Sequence, residues 1–325
     1  MIIEFLLSFL VLCITASVCS LTSGGLIWEL VDYALLPGIV LILAMMIFLS
    51  GYGKTFVRIF QTAKKFNNTS LAEFKKTEAS LDYAFKALVF ICVFLMLISG
   101  IYFYLNFDKT NTLGINLATI LLSLFYLSFF GMLFMILKGK LRSLIINYMA
   151  EENTIENDKP ASSTKKLVLS IIKIFVSLAF IIGLYFLIIY FSTTNLSNEE
   201  PLSFYYLRDL PGIIYTFIPT FLLLLASGNF KSFFRAMNYI IKNQKLSVTQ
   251  KAISVNAIST LRIIIFLEGI MTTVCGFIGI LFNLEDRSML GISFTIACVP
   301  MIYGLLVNLI LLPMESKISL LCDSE

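Results

Sequence analysis

Histidine is absent from this 325-residue chain, and tryptophan occurs only once. Without histidine there is no Ser/His/Asp triad, no imidazole proton relay and no His-dependent metal site. The six cysteines stand singly, without a CxxC pair or other metal-ligand spacing, and are interpreted as small apolar residues. The sequence therefore predicts a protein that is not an enzyme, with no catalytic residue, no metal and no cofactor.

Charged side chains are also scarce. They make up 14% of the residues, whereas 58% are hydrophobic, and the mean hydropathy is +0.92. One soluble core cannot hide so much apolar surface, so the composition predicts an all-α, polytopic protein embedded in a lipid bilayer. The net charge of +4 carries no argument for nucleic-acid binding.

Long apolar runs divide the chain. A membrane helix needs about 20 residues, and eight segments are close to that length: 2–22, 33–51, 85–106, 113–137, 167–192, 211–228, 259–284 and 289–313. The first segment has no Lys or Arg before it and no Ala-x-Ala cleavage site, so it is interpreted as a membrane helix and not as a signal peptide.

Basic residues are concentrated in alternate connections. The segments between spans two and three, four and five, and six and seven hold most of the Lys and Arg. The other connections hold Lys109, Arg208 and Arg287 among several acidic residues. By the positive-inside rule, both termini are expected to be cytoplasmic.

The chain also aligns with itself. A shift of 177 residues, without a gap, superposes these pairs: Asp32 and Asp209, Gly51 and Gly228, Lys54 and Lys231, Tyr126 and Tyr303, and Leu113-Gly114-Ile115 and Leu290-Gly291-Ile292. This register predicts two repeats of four spans in the same orientation, unlike inverted-repeat transporters. The expected units are a degenerate first repeat (1–150), a cytoplasmic linker (151–166) and a second repeat (167–325).

Two capping boxes predict that spans three and seven extend outside the membrane. Ser70-Leu-Ala-Glu73 and Ser247-Val-Thr-Gln250 both place a serine three residues before Glu or Gln. In this motif the serine oxygen accepts a backbone N–H bond, and the Glu or Gln side chain accepts one from the serine backbone. Cytoplasmic helical extensions are therefore expected.

Small and polar residues mark one face of span seven. Glu268, Thr272, Gly276 and Gly279 recur at steps of three and four. On span eight, Ala297, Pro300 and Gly304 form a comparable face. Such stripes are also typical of simple helix packing, and the Thr273 hydroxyl can bond to its own helix backbone. Glu268 favours a function because an ionisable group inside a span is costly, although its proximity to Arg262 would allow it to be wet.

These residues resemble the MotA/TolQ/ExbB proton-channel family of stator subunits. Gly269-Ile-Met-Thr-Thr273-Val-Cys-Gly276-Phe-Ile is similar to the family's third-helix pattern, Gly-Ile-x-Gly-Thr-Val-x-Gly-x-Ile. Leu290-Gly291, Tyr303-Gly304, Asn308 and Pro313 are similar to the fourth-helix pattern, whose threonine is replaced here by Pro300-Met301. The resemblance implies a tandem duplication of a MotA-like four-helix unit in a bacterial inner membrane.

The resemblance also implies a function. Family members conduct protons or Na⁺ with a single-span partner of the MotB/ExbD/TolR type, and they form homo-oligomers. The implied ion path or partner interface comprises Thr273, Glu268, Thr272, Gly276, Gly279, Pro300 and Gly304, with Thr273 at the position that faces the ion path. Two alternatives remain open: a non-conducting membrane scaffold that keeps the fold, and a parallel-repeat secondary transporter.

Overall fold

A computed structural model describes residues 2–23, 27–58, 71–105, 110–152, 209–242, 246–282 and 290–320. Within these ranges the chain forms a short 3₁₀ helix, Ile27–Leu30, and nine α-helices. The α-helices are α1 (Ile2–Thr22), α2 (Leu35–Leu49), α3 (Gly53–Arg58), α4 (Leu71–Leu105), α5 (Thr110–Glu152), α6 (Leu210–Ala226), α7 (Phe230–Lys242), α8 (Val248–Phe282) and α9 (Leu290–Leu320). The all-helical prediction is confirmed for this part of the chain.

In the part of the chain that the structure describes, six helical stretches are long and apolar enough to cross a membrane. They correspond to predicted spans one to four, seven and eight, so the chain is a multi-pass membrane protein. Predicted span five (167–192) and the linker 151–166 fall outside the described residues, apart from the end of α5. Predicted span six is α6, which has 17 residues and turns by 103° into α7. The count of eight spans thus stays a prediction.

The capping box at the start of α8 is confirmed. The Ser247 N–H donates to Gln250 Oε1 at 3.4 Å, and the Gln250 N–H donates to Ser247 Oγ at 3.3 Å. These bonds satisfy N–H groups that have no partner inside the helix, so α8 begins well before the apolar segment 259–284. Ser70 lies outside the described residues, and α4 begins at Leu71.

Helices α5 and α8 form the centre of the bundle. In each, 72% of the most apolar window is buried, compared with 22–33% in the other four spans. Helix α8 packs against α1, α5, α6, α7 and α9. The outer helices leave many large apolar side chains exposed, as expected where lipid or a partner covers them.

The 177-residue offset read from the sequence also relates local structures. Helices α4 and α8 both have 35 residues, and their ends coincide after the shift. The turns before α3 and α7 use Gly51 at φ 79° and Gly228 at φ 73°. A left-handed backbone of this kind favours glycine, which explains why both positions carry it.

The two ends of the bundle differ in charge. One end of the bundle carries Lys138, Lys140, Arg142 and the basic residues of α3 and α7, and we call it the basic end. Helix α1 begins at this end, and helix α5 ends there. At this end Lys140 pairs with Glu4, and Lys138 Nζ lies 2.5 Å from Asp82 Oδ1. Both pairs are partly shielded from solvent and tie α5 to α1 and α4.

Candidate functional site

A cavity of about 440 Å³ lies between α1, α6, α8 and α9, away from the basic end. Its walls combine small, polar and apolar residues from the four helices and their ends. They are Cys19, Thr22, Ser23, Asp209, Pro211, Gly212, Tyr215, Thr272, Gly276, Ile280, Ile296, Ala297 and Pro300. The sequence placed this surface between α8 and α9, and the structure adds α1 and the start of α6.

Glu268 lies one helical turn beyond the cavity wall. Thr272, a wall residue, is four residues further along α8, a rise of about 6 Å. The Glu268 side chain is 0% exposed, and neither carboxylate oxygen has a hydrogen-bond partner in the described part of the chain. The sequence left open whether Glu268 is exposed to solvent, and the structure shows that it is completely buried.

A second buried polar group also lies one helical turn from a wall residue of the cavity. Thr216 on α6 is four residues from Gly212, a wall residue, toward the basic end. Its side chain is 0% exposed, and its hydroxyl has no hydrogen-bond partner among the described residues. Buried polar groups are normally satisfied, so the three unpartnered oxygens of Glu268 and Thr216, one turn below the cavity wall, are candidates for contact with a small polar species. Sequence reasoning missed Thr216 because threonine on its own is common in membrane helices.

The two threonines of the α8 motif have different positions. Thr272 lines the cavity, and its hydroxyl donates to the Glu268 carbonyl at 2.8 Å. The Thr273 hydroxyl instead accepts the backbone N–H of Met301 at 3.2 Å, and its side chain is 5% exposed. Thr273 is not part of the cavity wall. It ties α8 to α9 beside Pro300.

The glycines allow α8 to pack closely against its neighbours. A Cβ atom on Gly304 would lie 2.8 Å from the Ile265 carbonyl oxygen, and one on Gly276 would lie 2.9 Å from the Ala297 Cβ. A Cβ on Gly279 would collide with Ser23 at the end of α1. The structure thus assigns Gly276, Gly279 and Gly304 a packing role, and Gly276 and Pro300 also border the cavity.

A polar network joins α8 and α9 on the basic-end side of Glu268. The Arg262 Nε donates to Asn308 Oδ1 at 3.0 Å, and the Asn308 Nδ2 donates to the Arg262 carbonyl at 2.9 Å. The Arg262 guanidinium also pairs with Glu315. Sequence reasoning noted Arg262 and Asn308 but did not connect them, because the two are 46 residues apart in the chain.

Another buried polar contact joins α8 to α5 and α7. The Asn256 Nδ2 donates to the Gly139 carbonyl at 3.0 Å and to Asn229 Oδ1 at 3.4 Å.

In the described ranges no group of three or more Cys, Asp or Glu side chains is arranged to hold a metal ion. The site is therefore a cavity with one buried carboxylate below it.

Comparison with known proteins gives one partial likeness. No family model matches the chain, and no solved structure matches it. The chain is similar to Motility protein A from Treponema phagedenis. Motility protein A is 43% identical to it over 58 residues. This stretch covers 18% of the chain and 22% of Motility protein A, so most of either protein lies outside the match. The similarity supports a MotA-like relationship for this membrane protein and does not bear on a tandem layout.

Proposed function

We propose that this chain is a stator-like membrane subunit that conducts protons or Na⁺ together with a single-span partner and drives mechanical work or energised transport. The observation that carries the proposal is Glu268, which is fully buried near the cavity and has no hydrogen-bond partner among the residues that the structure describes. An acidic residue inside a membrane span costs about 3 kcal/mol on insertion scales. A carboxyl group that has this cost and no structural partner favours a role in moving charge.

The cavity and Glu268 supply parts of a path. An ion enters the cavity, whose wall includes the polar residues Asp209 and Thr272. It then reaches Glu268 one turn deeper, where the carboxyl group takes up a proton or pairs with Na⁺. The neighbouring α8 residues Met271, Cys275 and Leu267 are buried as well, so this level of the helix is shielded from bulk water. Passage toward the basic end requires the Arg262 network to open.

The assembly belongs to the same proposal. The partner is a single-span protein of the MotB/ExbD/TolR type, and the chain forms a homo-oligomer in a bacterial inner membrane with both termini in the cytoplasm. The chain itself is a duplication, with units 1–150 and 167–325 joined by the linker 151–166. The paired glycine turns and the coincident ends of α4 and α8 support the duplication. The stretch similar to Motility protein A supports the stator-like role.

Ion flux into proteoliposomes tests the proposal. The chain is co-reconstituted with a single-span protein of the MotB/ExbD/TolR type, and flux is followed with a pH-sensitive dye and, separately, with ²²Na⁺. We expect Glu268→Gln to abolish most of the flux, and Thr272→Val to reduce it. Glu29→Gln, a partly exposed carboxylate on the 3₁₀ helix, is the matched control and leaves flux unchanged. Unchanged flux with Glu268→Gln would refute the role of Glu268.

Thr273 provides a direct test between conduction and a scaffold. In the resembling family this threonine faces the ion path, whereas here its hydroxyl accepts the Met301 N–H. That contact favours the second candidate, a non-conducting scaffold that keeps the fold. If the wild-type complex assembles with its partner but passes neither ion, the scaffold is correct. If it conducts and Thr273→Ala lowers the flux, the path includes Thr273.

A further inference from the structure

Helix α7 lies across the end of α6. The two helices meet at 103°, and Gly228 makes the turn with φ 73°. The Ser227 hydroxyl, donating to the Leu224 carbonyl at 2.7 Å, closes the last turn of α6. Since α6 is apolar along its length and runs with the membrane spans, a helix at nearly a right angle to it runs along the membrane surface at the basic end.

Helix α7 separates its apolar and basic residues. Phe233, Ala236 and Ile240 are buried against the bundle. Since each residue of a helix advances by about 100° around its axis, three basic residues lie within about 40° of one another: Lys231, Arg235 and Lys242. All three are exposed. The helix contains no acidic residue. No carboxylate within the described ranges forms an ion pair with these cations.

The apolar surface of α6 continues onto α7. Leu222 and Leu225 on α6 are 44% and 53% exposed, and Phe234 on α7 is 50% exposed. Phe234 precedes Arg235 directly and lies one turn after Phe230. An apolar band that ends beside a row of cations has the geometry of the boundary between acyl chains and lipid head groups.

Helix α3 repeats the arrangement. It follows Gly51, at φ 79°, as α7 follows Gly228. Its Lys54 is exposed, and Val57, at the position equivalent to Phe234, is 52% exposed. Two helices in one register therefore present a cation and an exposed apolar side chain at the same end of the bundle.

We propose that α7 is an interfacial helix that binds anionic phospholipids, with Phe234 among the acyl chains and with Lys231 and Arg235 on the head-group phosphates. A soluble acidic protein would be attracted by the same charges, but binding of such a protein does not explain why Phe234 is exposed beside the lipid-facing residues of α6. A bilayer accounts for both the exposed cations and the exposed Phe234. The proposal is independent of ion conduction.

The depth of Phe234 is the first test. Phe234→Trp is placed in a Trp28→Phe background, which removes the chain's natural tryptophan, and the protein is reconstituted in phosphatidylcholine/phosphatidylglycerol bilayers. We expect blue-shifted emission that lipids brominated near the glycerol end of the acyl chain quench more than lipids brominated near its methyl end. Emission typical of a water-exposed indole, quenched by iodide, would refute the interfacial position and favour contact with a soluble partner.

Lipid selectivity is the second test. Spin-labelled phosphatidylglycerol and phosphatidylcholine report the relative association of each lipid with the reconstituted protein. A basic residue at a charged surface contributes about a five-fold preference, so Lys231→Gln/Arg235→Gln should lower the preference for phosphatidylglycerol by up to about 25-fold. Lys75→Gln/Lys76→Gln, an equal charge change at exposed positions of α4, is the control. Equal effects of the two double variants would refute a specific site on α7.

A charge-conserving exchange guards against misfolding. Lys231→Arg/Arg235→Lys keeps both cations, so it should retain the preference for phosphatidylglycerol. Loss of the preference in this variant, while the protein remains folded by circular dichroism, would also overturn the proposal. High salt should weaken the preference in the wild type, because it screens exposed charges.

Discussion

The phenolic oxygen of Tyr303 accepts a hydrogen bond from the backbone N–H of Asp209 at 3.1 Å. Tyr126 accepts the same bond from Asp32, at 2.9 Å. In both cases the tyrosine lies 94 residues after the aspartate, and the pairs are 177 residues apart in the chain. The Tyr303 bond ties α9 to the start of α6, and the Tyr126 bond ties α5 to the segment before α2. Asp209 is also a wall residue of the cavity.

We expect Tyr126→Phe to destabilise the protein. The Tyr126 hydroxyl accepts from Asp32 and donates to the Leu30 carbonyl at 3.0 Å, so its removal leaves two backbone groups without this partner. Each bond contributes about 1 kcal/mol, and thermal unfolding in detergent should show the loss. Tyr33→Phe, at an 81% exposed side chain, should leave the unfolding temperature unchanged. Equal unfolding temperatures for Tyr126→Phe and wild type would contradict the contact.

Replacing Glu268 by leucine should stabilise the fold while removing ion flux. Among the described residues no hydrogen bond or ion pair offsets the cost of burying this carboxyl group, and an unsatisfied buried polar group costs about 1–3 kcal/mol, which leucine avoids. The reciprocal change is Ile91→Glu at the equivalent, 6% exposed position of α4, which should destabilise. Both are measured by unfolding in the same detergent. A large loss of stability in Glu268→Leu would show that the carboxyl group has a structural partner.

Gly304→Ala should separate α8 from α9. The added Cβ would lie 2.8 Å from the Ile265 carbonyl oxygen, which belongs to the backbone and cannot rotate away, so we expect a cost of about 1–3 kcal/mol. Gly38→Ala in α2 meets no atom within 4 Å and should stabilise its helix by up to about 1 kcal/mol. Similar unfolding temperatures for the two variants would mean that the close helix crossing is wrong.

Arg262 and Glu315 should be energetically coupled. Their side chains are 23% and 22% exposed, so solvent screens the pair less than it screens a surface salt bridge. A double-mutant cycle with Arg262→Met and Glu315→Gln should give a coupling of about 1 kcal/mol by unfolding. The same cycle on Arg142 and Glu78, whose atoms are 3.9 Å apart with Arg142 48% exposed, should give less. Coupling that is no larger for Arg262 and Glu315 would contradict the network.

Much of the fold could be predicted from local pattern. Apolar length identified six of the eight predicted spans, and the Ser247 capping box located the start of α8. The small residues at steps of three and four identified the packing face of α8, because helical periodicity alone determines which side chains share a face. The 103° turn into α7 was missed, because Gly228 ends an apolar run without the usual loop of polar residues.

The sequence by itself determined the membrane class, the small-residue faces and the 177-residue register, since composition, periodicity and self-similarity are properties of the chain alone. Only the tertiary structure decided that Thr272 borders the cavity while Thr273 binds the Met301 backbone. It also decided that α1 and α6 complete the cavity and that Glu268 is fully buried. The physical reason is that the rotation of a helix about its axis, and the identity of its neighbours, depend on how all the packed helices fit together.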